Sequence, residues 1–396
     1  MPSATPDGGL PAELHRFAKS DRLVTYRLLR RGPASQAELV AATGLSRPTV
    51  LAALTKLTNR GLVEVAPGQD GPAHATGRRP HLYRLTARAG LAVGVEIGRR
   101  HLNLVVMDAG HQRIVNLEKR VVADADHDPL TVLKQAVALV HLALEEANSN
   151  SAILGIAFGL PVPMTREGLV GGGTLLPEWA EIDPHGELTS LLSEWPLYVA
   201  NEADLGALGE YTFGWGEAKR DLTYVKLGTG IGGGIVLGGR LQRGSGGPAA
   251  EIGHVTLDFQ GRRCPCGNRG CLERYAGGRA LLDSARKDGL EIEDIPSLVA
   301  RARSGDVACR RILHEAATMI GTAIGTLANL TGPELVVLGG SLSAAGDILT
   351  APLRIALDET ALAPAAAAVS IELARLDRWA SACGAVAFVF EHFTSR

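Results

Sequence analysis

One histidine and three cysteines fall close together in this chain: His254, nine residues, then Cys264-Pro265-Cys266-Gly267-Asn268-Arg269-Gly270-Cys271. Three thiolates and an imidazole are the four ligands of a closed tetrahedral zinc site, and the intervening glycines let the backbone turn tightly around an ion. With four protein ligands no coordination position is left for water, so the sequence predicts one structural Zn2+ per chain. The competing reading is a reduced turn without metal. Cys309 and Cys383 stand alone and read as small buried apolar residues.

A chain of 396 residues is too long for one ordinary core and predicts a small domain beside a larger two-lobed body. The formal charge of −2 conceals an asymmetry: residues 1–90 hold 13 Lys and Arg against 6 Asp and Glu, a net of +7, which leaves −9 on the rest. A basic head on an acidic body favours a nucleic-acid contact confined to the head, a solvated basic face being the alternative. Neither a secretion signal nor a run of roughly 20 apolar residues occurs, so a cytoplasmic protein with no membrane contact is expected.

Residues 1–10 read as a flexible tail and 11–88 as the head. Leu14, Phe17, Val24 and Leu28 recur at helical spacing and predict a first helix ending near Gly32-Pro33. Ser35 with Glu38 forms a capping box for a second helix that Gly44 ends, and Ser46 caps a third over 47–60. That helix is expected to pack through Val50, Leu54 and Leu57, freeing Thr49, Ala53, Lys56 and Arg60 for a partner. Strands at 62–65 and 81–85, joined by a loop ending in Gly77-Arg78-Arg79-Pro80, complete a winged helix-turn-helix. The expected partner is operator double-stranded DNA. Ser46 suits a phosphate, Arg47 and Thr49 base edges or phosphates, and Lys56 and Arg60 the backbone, while Arg78 and Arg79 suit an A·T-rich minor groove. A head that binds protein is the alternative.

From about residue 90 strands alternate with helices, the mark of an α/β body. Strands are predicted at 91–97, 102–108, 153–158, 222–227, 233–238 and 334–338, with an amphipathic helix at 130–147. Residues 91–108 and 222–238 both read as strand, tight Gly-containing connection and strand, hinting at two similar lobes.

Glu251-Ile252-Gly253-His254 followed by Cys264 to Glu273 resembles the signature of the ROK family (repressors, open reading frames and kinases). With its winged head the chain is similar to the NagC/XylR/Mlc-type repressor branch. The resemblance covers essentially the whole chain and implies an actin/hexokinase-like body with a sugar between two lobes. Residues 89–202 plus 375–396 would form the first lobe, and 203–374, with the zinc loop, the second. The C-terminal helix near Trp379 to Phe393 would pack back onto the first lobe. The resemblance also implies sugar contacts from Asn201, Glu202, Glu251, His254 and Glu273, groups able to pair with hydroxyls in a desolvated cleft. His254 would set one ring nitrogen on zinc and the other on a sugar hydroxyl. Before Leu176-Pro177-Glu178-Trp179, where the family often has an Asn, this chain has Thr174-Leu175, which leaves the identity of the sugar open.

Kinases of the family carry an Asp-x-Gly-Gly-Thr phosphate loop, where small residues let the backbone approach the γ-phosphate. The matching segment here is Glu96-Ile97-Gly98-Arg99-Arg100-His101, and their general-base Asp is matched by Glu202. Gly228 to Gly234 and Leu338-Gly339-Gly340-Ser341 resemble the remaining nucleotide loops, which can persist simply as tight turns. No useful phosphoryl transfer is expected. The chain thus reads as a non-enzymatic repressor of carbohydrate genes, a homodimer or dimer of dimers that senses a sugar or sugar phosphate. The alternative is a sugar kinase with an appended DNA-binding head.

Overall fold

The computed structural model describes residues 10, 16–70, 81–121, 123–165, 168–171, 176–216 and 221–393, with the backbone alone given for 67–70. Leu14, Arg78, Arg79, Thr174, Leu175 and all of the tail but Leu10 lie outside the described residues.

The head comprises α1 (Lys19–Arg31), β1 (Ala34–Ser35), α2 (Gln36–Thr43), α3 (Arg47–Asn59), β2 (Val63–Asp70) and β3 (His81–Leu85), its strands ordered β1-β3-β2. Local chemistry sets its boundaries. The Ser35 hydroxyl accepts from the Glu38 amide while the Glu38 carboxylate accepts from the Ser35 amide, closing the capping box; Gly44, at φ 68°, ends α2. Ser46 caps α3 by accepting from the Thr49 amide at 3.3 Å. α1 begins later than its periodicity predicted, because Phe17 is buried in the turn before it. Ala53 corrects the expected division of α3: it is buried with Val50, Leu54 and Leu57, so the packed face is broader and the free face is turned toward Leu51 and Ala52.

The body is one plan used twice. In the first sheet β4 (Leu91–Ile97), β5 (His101–Asp108), β6 (Arg113–Arg120), β7 (Ile153–Leu160) and β8 (Leu197–Asn201) are ordered β6-β5-β4-β7-β8. In the second, β9 (Leu222–Leu227), β10 (Ile231–Leu237), β11 (Arg240–Leu241), β12 (Leu335–Gly339) and β13 (Ser370–Leu373) are ordered β11-β10-β9-β12-β13. Each runs two antiparallel pairings and then two parallel ones. The strands unpredicted from the sequence, β6, β8, β11 and β13, are all sheet edges, where no buried apolar run is required. The second glycine-rich segment is not merely a tight turn, since Gly232 to Gly234 lie inside β10.

Three helices pack against these sheets. α4 (Pro129–Ala147) covers the first sheet with the buried face that its amphipathicity predicted. α5 (Glu202–Gly209) widens into a π-turn at Glu210–Gly214, where the Trp215 amide donates five residues back to the Glu210 carbonyl at 2.6 Å. The C-terminal α9 (Ala380–His392) packs between β4 and α5, as expected of a helix folding back onto the first sheet. Gly384 sits where α9 crosses α5, and a Cβ there would overlap the Leu205 carbonyl. The intervening second-half helices include α6 (Gly278–Lys287), α7 (Val307–Thr331) and α8 (Asp347–Thr360). Among the described residues no helix is long and apolar enough to cross a membrane.

Candidate functional site

The His254 and Cys264–Cys271 segments meet because the loop between them doubles back. Cys271 bridges Thr256, Arg263 bridges Arg269, and the Leu272 amide donates to the Val255 carbonyl at 2.9 Å. Gly270, at φ 66°, makes the reversal before Cys271. The ligand atoms of His254, Cys264, Cys266 and Cys271 all lie within 4.8 Å of one another, with His254 Nδ1 3.7 Å from Cys264 Sγ and Cys266 Sγ 3.6 Å from Cys271 Sγ. Tetrahedral bonds of about 2.3 Å to sulfur and about 2.0–2.1 Å to nitrogen require ligand separations of roughly 3.5–3.8 Å, so the cluster is dimensioned for a metal ion. Burial and the neighbouring sulfurs push the Cys271 thiol up to about 12. A divalent cation would reverse that and make three thiolates compatible. His254 turns Nδ1 to this cluster, leaving Nε2 on the other edge of the ring.

Glu251 precedes the short helical turn Ile252–His254 and Glu273 follows the cysteine loop, so folding that loop brings both carboxylates to one region. Burial, and then the charge of Glu273, pushes Glu251 up to about 6. Glu273 accepts from the Ile231 amide at 2.9 Å, joining the loop to the start of β10. Asp204, unmarked by sequence reading, sits beside Glu251 and Arg243 with an Oδ1 that has no hydrogen-bond partner among the described residues; burial pushes it up to about 7.

Asn201 and Glu202 begin α5. The Asn201 Oδ1 caps the helix by accepting from Ala203 and Asp204 amides at 2.8 and 3.2 Å, and Nδ2 donates to the Val162 carbonyl at 3.0 Å. Most of this amide therefore serves the fold, with one N–H left over.

Glu202 is engaged by a residue that sequence reading missed. Lys226, reaching from β9, donates to Glu202 Oε2 at 2.8 Å and also to Glu96 Oε1 at the end of β4. Asn103 Nδ2 donates to the other Glu96 oxygen at 2.8 Å. Burial works against the Glu96 charge, but Lys226, His101 and Asn103 hold its carboxyl below the ordinary range. Glu202 has fewer donors; burial and the adjacent Glu96 raise it, so it is the readier proton acceptor of the pair. Beside this cluster Arg99 bridges Asp124, at 3.0 Å, and Asp126, at 3.2 Å, while Arg279 of α6 also reaches Asp126. The backbone of Arg279 donates to the Thr229 carbonyl at 3.1 Å, so this ionic clasp joins the two glycine-containing loops.

In the head, Ser46 and Thr49 hydroxyls lie 2.7 Å apart, and Arg47 is exposed at the first turn of α3. Lys56 and Arg60 have partners within the head: Lys56 Nζ lies 2.5 Å from buried Asp21 of α1, and the Arg60 guanidinium lies over the Phe17 ring. The end of α1 rests on the body. Arg31 donates to the Gly239 carbonyl at 2.9 Å and covers the Tyr211 ring, while His111, in the β5–β6 turn, stacks on Phe390 and meets Phe213 edge-on. Tyr211 and Phe213 belong to the π-turn that continues α5, whose first residue is Glu202.

The ROK family pattern matches residues 92–392, and the MarR family pattern matches residues 26–71. The xylose repressor of Caldicellulosiruptor bescii is 29% identical, over 94% of this chain and 96% of its own length. The glucokinase of Streptomyces coelicolor is 30% identical over 67% of this chain and 86% of its own length. A crystal structure of a ROK family transcriptional regulator, a homologue of the E. coli MLC protein, superposes with a TM-score of 0.73 at 22% identity, covering 94% of this chain and 96% of that one.

Proposed function

We infer, from the premise that the chain belongs to the ROK family, that it is a sugar-responsive transcriptional repressor working in the cytoplasm on operator DNA. One observation carries this reading best: a helix-turn-helix head is seated on a kinase-like body whose candidate base, Glu202, is tied by Lys226 to Glu96. A base whose carboxylate is held by an ammonium is poorly placed to take a proton from a sugar hydroxyl, and Arg99 and Arg100, paired with Asp124, stand where a γ-phosphate loop needs small residues. The body is therefore a sensor without useful phosphoryl transfer.

The proposed sugar site is formed by Asn201, Glu202, Glu251, His254 and Glu273. His254, Cys264, Cys266 and Cys271 would hold zinc, which when bound fixes the His254 ring and so presents Nε2 to a hydroxyl. Xylose, the sugar in the names of several relatives, is the first effector to test, with glucose and their phosphates beside it. A homodimer would set two heads on a near-palindromic operator. Lobe movement at Glu202 would travel along α5 and the π-turn to Tyr211, Phe213 and α1, altering head position.

A thermal-shift screen of sugars and sugar phosphates, with and without the DNA upstream of the gene, tests this. A sugar that stabilises the protein and changes its DNA affinity supports the reading. Robust turnover of magnesium-ATP with any of these sugars would replace it with the kinase reading, which the glucokinase relative makes the natural alternative.

A further inference from the structure

The outward stripe of α3 differs from the one its charged residues advertise. Pro48, Leu51, Ala52, Thr55 and Asn59 follow one another at helical intervals and are all exposed, Leu51 by 50%. Together with Lys56 and Arg60 toward its far end, they line a shallow groove on the side of α3 away from the buried Val50, Ala53, Leu54 and Leu57. The middle of this stripe offers no free donor. Pro48, Leu51 and Ala52 are apolar, and the Thr55 hydroxyl spends its one proton on the Leu51 carbonyl at 2.9 Å.

The surrounding charge identifies the occupant. α3 contains no acidic residue; Arg47 stands at one end and Arg60 at the other. Two copies of such a helix would bring like charges together, whereas a polyanion is complementary to it. In the major groove the one apolar feature of a base edge is the thymine C5-methyl, which Ala and other small apolar side chains contact.

We propose that Leu51 and Ala52 read thymine methyl groups, so that the central base steps of each half-site are selected by apolar contact, with hydrogen-bond readout confined to the end bearing Arg47. This rests on the DNA-reading function proposed above and adds the chemistry of its specificity.

The test uses the full chain and a duplex enriched by it from a random library. Each thymine in a half-site is replaced singly by deoxyuridine, which removes only the methyl. At one or two central positions affinity should fall about 3- to 5-fold, the effect of one buried methyl. In Leu51→Ala the replacement at the position read by Leu51 should cost almost nothing while one at the position read by Ala52 keeps its cost, and the dependence on salt keeps its slope because no phosphate contact is lost. Deoxyuridine replacements without effect, or losses unchanged at every position in Leu51→Ala, would overturn the assignment. A change in the oligomeric state of DNA-free Leu51→Ala would also overturn it, by making the stripe a contact between copies. Failure to enrich any duplex would instead remove the DNA-reading function itself, and the assignment with it.

Discussion

The Nε2 of His111 lies 2.7 Å from the carbonyl oxygen of Leu29, joining the body's β5–β6 turn to the last turn of α1. The helix cannot satisfy that carbonyl, because the residue four positions on is Pro33, which has no N–H. His111 supplies the missing donor. Burial pushes its pKa down to about 4, so the ring is neutral near pH 7 and carries its proton on Nε2.

His111→Phe should keep the stacking on Phe390 and remove the donor. Sugar affinity, measured by calorimetry, should stay within about 2-fold, while the sugar-driven change in operator affinity should shrink from the usual range of roughly 5- to 150-fold toward none. The depressed folded pKa gives the sign of the pH effect. Its stability contribution is present above the unfolded value of 6.5 and is lost as pH falls toward 4. Wild-type stability should therefore decline more steeply than that of His111→Phe across this window in urea titrations.

Metal analysis of the purified chain should find about one zinc per chain, as four-ligand structural sites bind it. Cys266→Ser or prolonged chelation should lower zinc content, melting temperature and sugar affinity together, the last by about 10- to 100-fold. A metal-free protein with undiminished sugar binding would contradict the coupling through His254.

Lys226→Met leaves two buried carboxylates without their shared cation. Unfolding in urea should show a loss of about 3–5 kcal/mol, the scale expected when one partner of a buried ionic cluster is removed. Adding Glu202→Gln to Lys226→Met should recover part of that loss, since only Glu96 then remains charged. Additive losses would mean that the Lys226–Glu202 contact contributes little.

Asp204 provides a pH test of opposite sign. Its carboxyl is raised from 3.8 to about 7, so the stability associated with its protonated form is complete below pH 4 and lost as pH rises through 7. Asp204→Asn mimics the protonated form. Its melting temperature should match that of the wild type at or below pH 4, pull ahead as pH rises from there toward 7, and exceed it by several degrees at pH 8.

The cluster of His254 with three cysteines and the capped helices of the head were legible in the sequence because each is specified locally. A thiol spacing, a Ser35–Glu38 box and a Gly44 stop act over a few residues. Edge strands such as β6 were not legible, since alternation on a half-exposed strand carries little apolar signal. The ionic cluster was missed although it had left a trace: Glu96 and Lys226 are the lone charges in their otherwise uncharged, buried strands, and a charge there demands a counter-charge from elsewhere. Nothing local in the sequence told which element would supply it. Ala53 was misplaced for a related reason, being small enough to suit either face of α3 until the position of α1 is known. The Arg78 and Arg79 expectation lies outside the described residues.

The π-turn at Glu210–Gly214 spends one residue more than an α-helical turn to bring Tyr211 and Phe213 beneath the head. Each residue of an α-helix advances the chain by about 100°. An in-frame loss of a single codon within these five residues would leave the composition nearly unchanged yet swing the path beyond Gly214 to another side of the body. This stretch should therefore accept many exchanges of amino acid while tolerating no change in length.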